Sequence, residues 1–335
     1  LIAEISANHC GSLNKAKRLI DTAKKNKADA VKLQTFSPDT MTLNSNKKDF
    51  MINSGLWKGY NLWNLYKKAQ TPYKWHKELF SYAKKKGIIC FSTPFDETAV
   101  DLLEKLKTPV YKISSFEMTD IPLIKKVAKT KKPMIISTGL SNLDEIEYTY
   151  KIAKKYGCKD ITLLYCVSSY PAKYSEINLN NLKILKKKFP CRIGFSDHSN
   201  NENIACAAVA LGAEVIEKHI ALENQKTGLD IKFSLKGKEI LSFKKKLVDT
   251  YNFLGSAKFH RSKSELKNLK FRRSIYSSND IQKGEKFSSK NLRVVRPGYG
   301  IEPKYFDKLI GKKSPKNIKK ASKITKKILK ILKLI

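Results

Sequence analysis

The stretch IGFSDHSNNENIACAAVALGAEVIEKH, residues 193–219, holds two short apolar runs, Ile193–Asp197 and Ala213–His219, with a segment of helical length between them. Both end on polar side chains: Ser196, Asp197 and His198 at the first, His219 at the second. Six similar runs precede them: Leu1–Ser6, Ala30–Gln34, Ile88–Thr93, Val110–Ser114, Met134–Thr138 and Ile161–Cys166. Lysine-rich amphipathic stretches such as Leu13–Lys25, Tyr73–Lys86 and Leu143–Tyr156 lie between the runs. Strand, helix, strand repeated eight times predicts a (β/α)8 TIM barrel. In that fold the strand ends converge on one face. Here they carry Glu4, Lys32, Gln34, Thr93, Lys112, Ser137, Ser196, Asp197, His198 and His219. A barrel needs apolar strands, so polar groups gathered at one end of them point to a catalytic site.

The chain of 335 residues has room for a barrel of about 250 residues and a small second domain. The barrel is expected over residues 1–254, closing on a helix at Glu239–Leu254, and residues 255–270 read as a polar linker. Residues 271–335 read as a β-rich module, with strands at Ser274–Ser278 and Leu292–Arg296 and a turn around Gly284. A short helix at Pro303–Leu309, a last β-like segment and a frayed end complete it. The long insertion Phe36–Thr71 carries Trp57, Tyr60, Trp63 and Tyr66 and is expected to be a substrate lid. The sequence starts inside the first strand, so residues are expected to precede Leu1.

The formal charge is +37, yet only seven of the 67 basic residues are arginine and the lysines are spread over every helix. That pattern argues against nucleic acid as a partner and for solvated helix faces that attract anions. No apolar stretch is long enough to cross a membrane. Six scattered cysteines without a CxxC pair fit a reducing cytoplasm, with Cys90, Cys166 and Cys206 expected in the core.

His198 and His219 close neighbouring strands, and two imidazoles with open positions make a divalent-metal site plausible. Glu217 shares the strand face of His219 one layer deeper. Lys32, Gln34, Lys112, Ser115, Ser137 and Ser196 supply two ammonium groups with hydroxyl and amide donors, which suits a small phosphorylated carboxylate. A Schiff-base lysine is the competing chemistry, with Lys112 and Lys218 as candidates, although strand alternation turns Lys218 outward. A structural ion pair of Lys112 with Glu4 or Glu117 is a third reading.

Nine segments closely resemble the sialic acid (nonulosonic acid) synthase family: AEISANH (3–9), VKLQT (31–35), FSTPFDE (91–97), YKISSFE (111–117), ISTGL (136–140), SSYP (168–171), GFSDHS (194–199), ALGAEVIEKH (210–219) and VRPGYG (295–300). The C-terminal module resembles that family's antifreeze-like (SAF) domain. Residues 56–76, 88–97 and 271–276, with Phe116, resemble its pseudaminic acid synthase branch. The resemblance implies condensation of phosphoenolpyruvate with 2,4-diacetamido-2,4,6-trideoxy-L-altrose, an N-acetylated amino sugar, helped by Mn2+, or by Mg2+ or Co2+, on His198 and His219. It implies that Lys32, Gln34, Thr93, Lys112, Ser115, Ser137, Ser168 and Ser196 hold phosphoenolpyruvate. Glu4, Phe95, Tyr170 and Asp230 would meet the sugar, with Glu4, Lys112, Glu117 and His219 in the chemistry. Arg296 would reach a partner's site in a homodimer with exchanged modules. Cys10 and Ser168 depart from the family pattern and bear on substrate detail. The aromatic lid and Phe116 suit a 6-deoxy sugar. The alternatives are an N-acetylneuraminate or legionaminic acid synthase, a Schiff-base aldolase, or a carbohydrate-binding protein without activity.

Overall fold

The computed structural model describes all 335 residues. They form two compact units, Leu1–Gly255 and Ser256–Ile335. The first unit alternates strands and helices from β1 (Ile2–Glu4), α1 (Leu13–Lys25) and β2 (Ala30–Thr35) onward. The insertion follows, with α2 (Pro38–Met41) and α3 (Leu62–Ala69), then α4 (Tyr73–Lys86) and β3 (Ile89–Pro94). Next come α5 (Glu97–Lys105), β4 (Tyr111–Ile113), α6 (Ile121–Lys129), β5 (Met134–Ser137), α7 (Leu143–Lys155) and β6 (Ile161–Cys166). The unit ends with α8 (Asn181–Lys188), β7 (Arg192–Asp197), α9 (Glu202–Ala210), β8 (Val215–Ala221), a short β9 (Leu235–Lys236) and α10 (Glu239–Leu254).

Strands β1 to β8 pair in order, all parallel, and β1 also pairs with β8, so the sheet closes into the expected barrel. The helices begin where polar side chains satisfy free amides: Ser12 caps α1, Asp96 caps α5 and Asn142 forms a capping box with Glu145 on α7. Their apolar faces, such as Leu19 and Ile20 of α1 or Ile124 and Val127 of α6, pack on outward strand residues such as Val31, Leu33, Ile113 and Ile136.

Alternation along each strand sends the other residues inward in layers. Ile2, Ala30 and Phe91 form an apolar layer with Val110, Ile135 and Val215 packed against it. Two residues further along each of these strands stand Glu4, Lys32, Thr93, Lys112, Ser137 and Glu217, all buried. Crowding inside the barrel also explains Gly194. A Cβ there would lie 2.3 Å from the Val215 carbonyl oxygen and 2.5 Å from Leu164 Cδ2.

The second unit has its own core of Ile275, Ile281, Phe287, Leu292, Ile301, Leu309, Ile318, Ile324, Ile328 and Leu329. The residues expected as linker belong to this unit from Ser256 onward and contain α11 (Lys263–Lys267). The strands β10 (Ser274–Ser277) and β11 (Leu292–Val295) pair antiparallel, and α12 (Phe306–Leu309) follows. The last β-like segment is replaced by single bridges such as Tyr276 with Lys323 and Ile281 with Ile318. The tail belongs to the module's own structure: α13 (Lys326–Ile331) buries Ile328 and Leu329. No helix is long and apolar enough to cross a membrane.

Candidate active site

The strand ends of the barrel open into a cleft of about 370 Å³. Lys32, Gln34, Phe95, Lys112, Ser115, Glu117, Tyr170, Ser137, Ser196, His198, His219 and Asp230 all line it. Two of the candidate groups lie behind that wall. Glu4 is fully buried and Thr93 donates no surface to the cleft, since both serve Lys32: Glu4 Oε2 lies 2.6 Å and Thr93 Oγ1 3.2 Å from its Nζ. Ser168 is half-buried and meets Cys166, its Oγ 3.7 Å from Cys166 Sγ. Arg296 is an exposed residue of the second unit, just after β11.

The two lysines share a carboxylate. Glu217 Oε1 lies 3.6 Å from Lys32 Nζ and 3.8 Å from Lys112 Nζ, and it accepts a 3.0 Å bond from Ser196 Oγ. Its second oxygen is buried without a partner. Lys112 Nζ donates to Ser137 Oγ at 2.6 Å and to the Ile113 carbonyl at 3.0 Å. The structural partner of Lys112 is therefore Glu217, not Glu4 or Glu117. Burial and the nearby Lys32 push the Lys112 ammonium below its ordinary range against the pull of Glu217. Burial acts on Lys32 too, but Glu217 and Glu4 outweigh it and hold that ammonium above its usual value. Glu217 is likewise desolvated, yet Lys112 and Lys32 keep its carboxyl low.

Beside this layer Ser115 Oγ accepts the Gly139 amide at 3.1 Å and meets Cys166 Sγ at 3.3 Å. A Cβ at Gly139 would lie 2.7 Å from Ser115 Oγ and 2.3 Å from Ser168 Oγ, so the backbone here can approach only without a side chain. Cys166, expected as a plain core residue, is thus part of the cleft wall. Its position as the last residue of a strand was the available signal. Cys206 is only half-buried, whereas Cys90 is in the core as expected.

His198 and His219 face each other with ring centroids 5.4 Å apart. His198 Nδ1 lies 3.1 Å from the Val167 carbonyl and His219 Nδ1 lies 3.2 Å from Ser6 Oγ, with Asp230 Oδ2 at 3.8 Å. Burial and the neighbouring His198 keep His219 well below the ordinary imidazole range. Nδ1 of each ring is engaged by protein, as is usual for ligating imidazoles, and His198 also meets the Cys166 thiol. No third histidine, cysteine or carboxylate joins them in a ligand cluster. A divalent ion held by this pair would have to complete its shell with substrate or water, as in an open site. Tyr170 packs on His198 at 4.5 Å and Phe233, which the sequence reading missed, on His219 at 4.8 Å.

The insertion forms the other wall. Phe36, Met41, Ile52, Trp57, Leu62, Leu65 and Tyr66 line the cleft with Phe95 and Phe116. Trp57 Nε1 donates to the Leu229 carbonyl at 3.3 Å, and its ring lies 5.7 Å from that of Tyr170. Tyr60 and Trp63 point elsewhere: Lys68 donates to the Tyr60 hydroxyl, and the Trp63 indole donates to Asp39 at 2.8 Å.

Residues 19–259 match the NeuB family and residues 272–330 the SAF domain. The chain belongs to the NeuB family. It is 44% identical over 319 residues to the pseudaminic acid synthase of Campylobacter jejuni subsp. jejuni serotype O:2, covering 95% of this chain and 93% of that one. It is 40% identical to the N,N'-diacetyllegionaminic acid synthase of the same organism, over 95% of this chain and 96% of that one. Among solved structures it resembles the N-acetylneuraminic acid synthetase of Leptospira borgpetersenii in complex with citrate. The TM-score is 0.72 at 34% identity, over 81% of this chain and 90% of that one. In this NeuB chain the two ammonium groups, the paired imidazoles and the apolar wall occupy one cleft.

Proposed function

We propose that this chain is a pseudaminic acid synthase, condensing phosphoenolpyruvate with 2,4-diacetamido-2,4,6-trideoxy-L-altrose to give pseudaminic acid and phosphate. One observation carries the reading: two buried ammonium groups ringed by hydroxyl donors open onto paired imidazoles and then onto an apolar wall. The first part suits the phosphate and carboxylate, the last a sugar whose C6 is a methyl group. The 44% identity to a pseudaminic acid synthase supports the same branch.

The sugar reacts as its open-chain aldehyde. C3 of phosphoenolpyruvate attacks the aldehyde carbon, positive charge develops at C2, and water adds there. The tetrahedral centre then expels phosphate and leaves a ketone at C2. Lys32 and Lys112 neutralise the phosphate as it departs, and Ser137, Ser196 and Ser115 orient it. Glu117 lines the cleft and accepts from Ser114. Burial raises its carboxyl above the usual range, which suits a base that takes the proton from the attacking water. Tyr170, Phe95 and Asp230 form the sugar end. His198 and His219 would hold a divalent ion, Mn2+ before Mg2+ or Co2+, whose chemistry would be to polarise the sugar aldehyde. Holding both reactants in register contributes up to roughly 7–11 kcal/mol of the rate enhancement.

Arg296 is assigned to a partner subunit's site in a homodimer, where its planar fork would pair sugar or carboxylate oxygens. Six unpaired cysteines support a cytoplasmic location.

The test is phosphate release by the purified protein with phosphoenolpyruvate and either amino sugar. The 2,4-diacetamido-6-deoxy substrate should exceed N-acetylmannosamine in kcat/KM by about 100-fold or more. Comparable efficiency on N-acetylmannosamine would overturn the branch. Chelation with EDTA should abolish turnover and Mn2+ restore it, while full activity of EDTA-treated His219→Ala protein would remove the metal assignment. The lowered ammonium of Lys112 is also what a Schiff-base aldolase would use. Borohydride trapping of a pyruvate adduct, with no phosphate formed, would decide for that chemistry.

A further inference from the structure

We propose that Lys218 and Asp197 are positioning residues that fix the His198 imidazole from outside the barrel. The inference rests on His198 belonging to the site assigned above.

Asp197 and Lys218 are register partners on β7 and β8. Each is one residue from an inward group, Ser196 on β7 and Glu217 and His219 on β8, so alternation turns both outward, beneath the helices. Their side chains are only 0% and 4% exposed, and Lys218 Nζ lies 3.1 Å from Asp197 Oδ2. Asp197 Oδ1 accepts the Ser199 amide at 2.8 Å, and Lys218 Nζ donates to the Ser199 carbonyl. The pair therefore grips both backbone groups of Ser199, immediately after His198. On the inner side, the His198 carbonyl accepts the Ala172 amide at 3.1 Å and its Nδ1 meets Val167. Bonds to Ser199, to the His198 carbonyl and to its ring thus hold this turn of the chain together.

Stability alone is a poor reason for this arrangement. Desolvating two charges offsets most of their attraction, and an apolar pair of similar volume usually serves a core as well or better. What an apolar pair cannot do is bind both the amide and the carbonyl of Ser199. Lys218 also stands next to His219 in β8, so the same contact sets the level of one imidazole strand against the other.

The test compares Lys218→Met, the volume-matched double variant Asp197→Leu/Lys218→Met, and Lys218→Arg. Lys218→Met should lose thermal stability by stranding Asp197. The double variant should regain most of it, yet retain a loss of ~10-fold or more in Mn2+ affinity by calorimetry, the scale seen for groups that orient metal-bound histidines. Its kcat should fall while KM for phosphoenolpyruvate stays close to that of the parent, and Lys218→Arg should recover part of kcat. Nitrogen-15 spectra of the five histidines give a readout independent of metal: the His198 ring signals should move in the double variant, while those of His9 and His76 stay in place. A folded double variant with unchanged His198 signals and unchanged kcat would overturn the proposal. Parent protein that binds no Mn2+ would instead count against the metal reading, and the ring signals and kcat would still judge the positioning role.

Discussion

Glu217 and the two lysines show how closely the barrel mouth is balanced. Two ammonium groups, Lys32 and Lys112, face two carboxylates, Glu4 and Glu217, with every member buried. A phosphate that takes hold of both lysines competes with Glu217 for them. Glu217→Gln should therefore cost about 3 kcal/mol of stability, as expected when one partner of a buried ion pair is removed. Inorganic phosphate should then raise its Tm by more than it raises that of the parent. Equal phosphate shifts in the two proteins would separate Glu217 from the anion site. Period two along β8 put Glu217 on the face of His219, so its direction was readable. Its lysine partners were not, because they come from β2 and β4, more than a hundred residues upstream.

At the scale of elements, the insertion between β2 and α4 is rooted in buried histidines. His9 Nδ1 accepts the Gly11 amide at 3.1 Å, and its Nε2 lies 3.2 Å from Thr71 Oγ1. His76 Nδ1 lies 3.2 Å from the Pro72 carbonyl, and its Nε2 lies 2.8 Å from Thr35 Oγ1, which in turn meets Ser92. Burial pushes both imidazoles down to about 4. An unfolded histidine takes up its proton near pH 6.5, so between there and pH 4 the unfolded state binds more protons than the folded one. Stability is then full above pH 6.5 and falls as pH falls through that window, by up to roughly 3 kcal/mol per histidine. Urea unfolding at pH 7 and pH 5 measures this, and His76→Gln should flatten the dependence. A parent protein equally stable at both values would show that these imidazoles do not resist protonation. The long loop and its aromatics were readable as a lid over the cleft. Which aromatics face the cleft was not, since Trp57 and Tyr66 do and Tyr60 and Trp63 do not.

For the whole molecule, the sharpest question is how many chains build one site. Arg296→Ala and Lys112→Ala subunits, each inactive alone, should regain activity when mixed and allowed to exchange if Arg296 serves a partner. One of the two sites in each mixed dimer then carries both residues intact. Proven exchange without recovery would confine Arg296 to its own chain or to no site.

The sequence by itself determined the barrel and most of the cleft wall. Strand and helix periods are local, and the ends of β7 and α10 fall where alternation and apolar spacing predict, at Asp197 and Leu254. Strand ends in a closed parallel barrel must meet, which brings Lys32, Lys112, His198 and His219 together. Tertiary structure alone decided which charges pair, because ion pairs across strands depend on register and side-chain length. It paired Lys32 with Glu4 and set Glu217 between two lysines. It set Ser168 against Cys166 and drew the expected linker from Ser256 onward into the second unit with a helix of its own. Lys218 shows both halves: its outward direction follows from the period of a strand, its grip on Ser199 only from the neighbouring strand lying beside it.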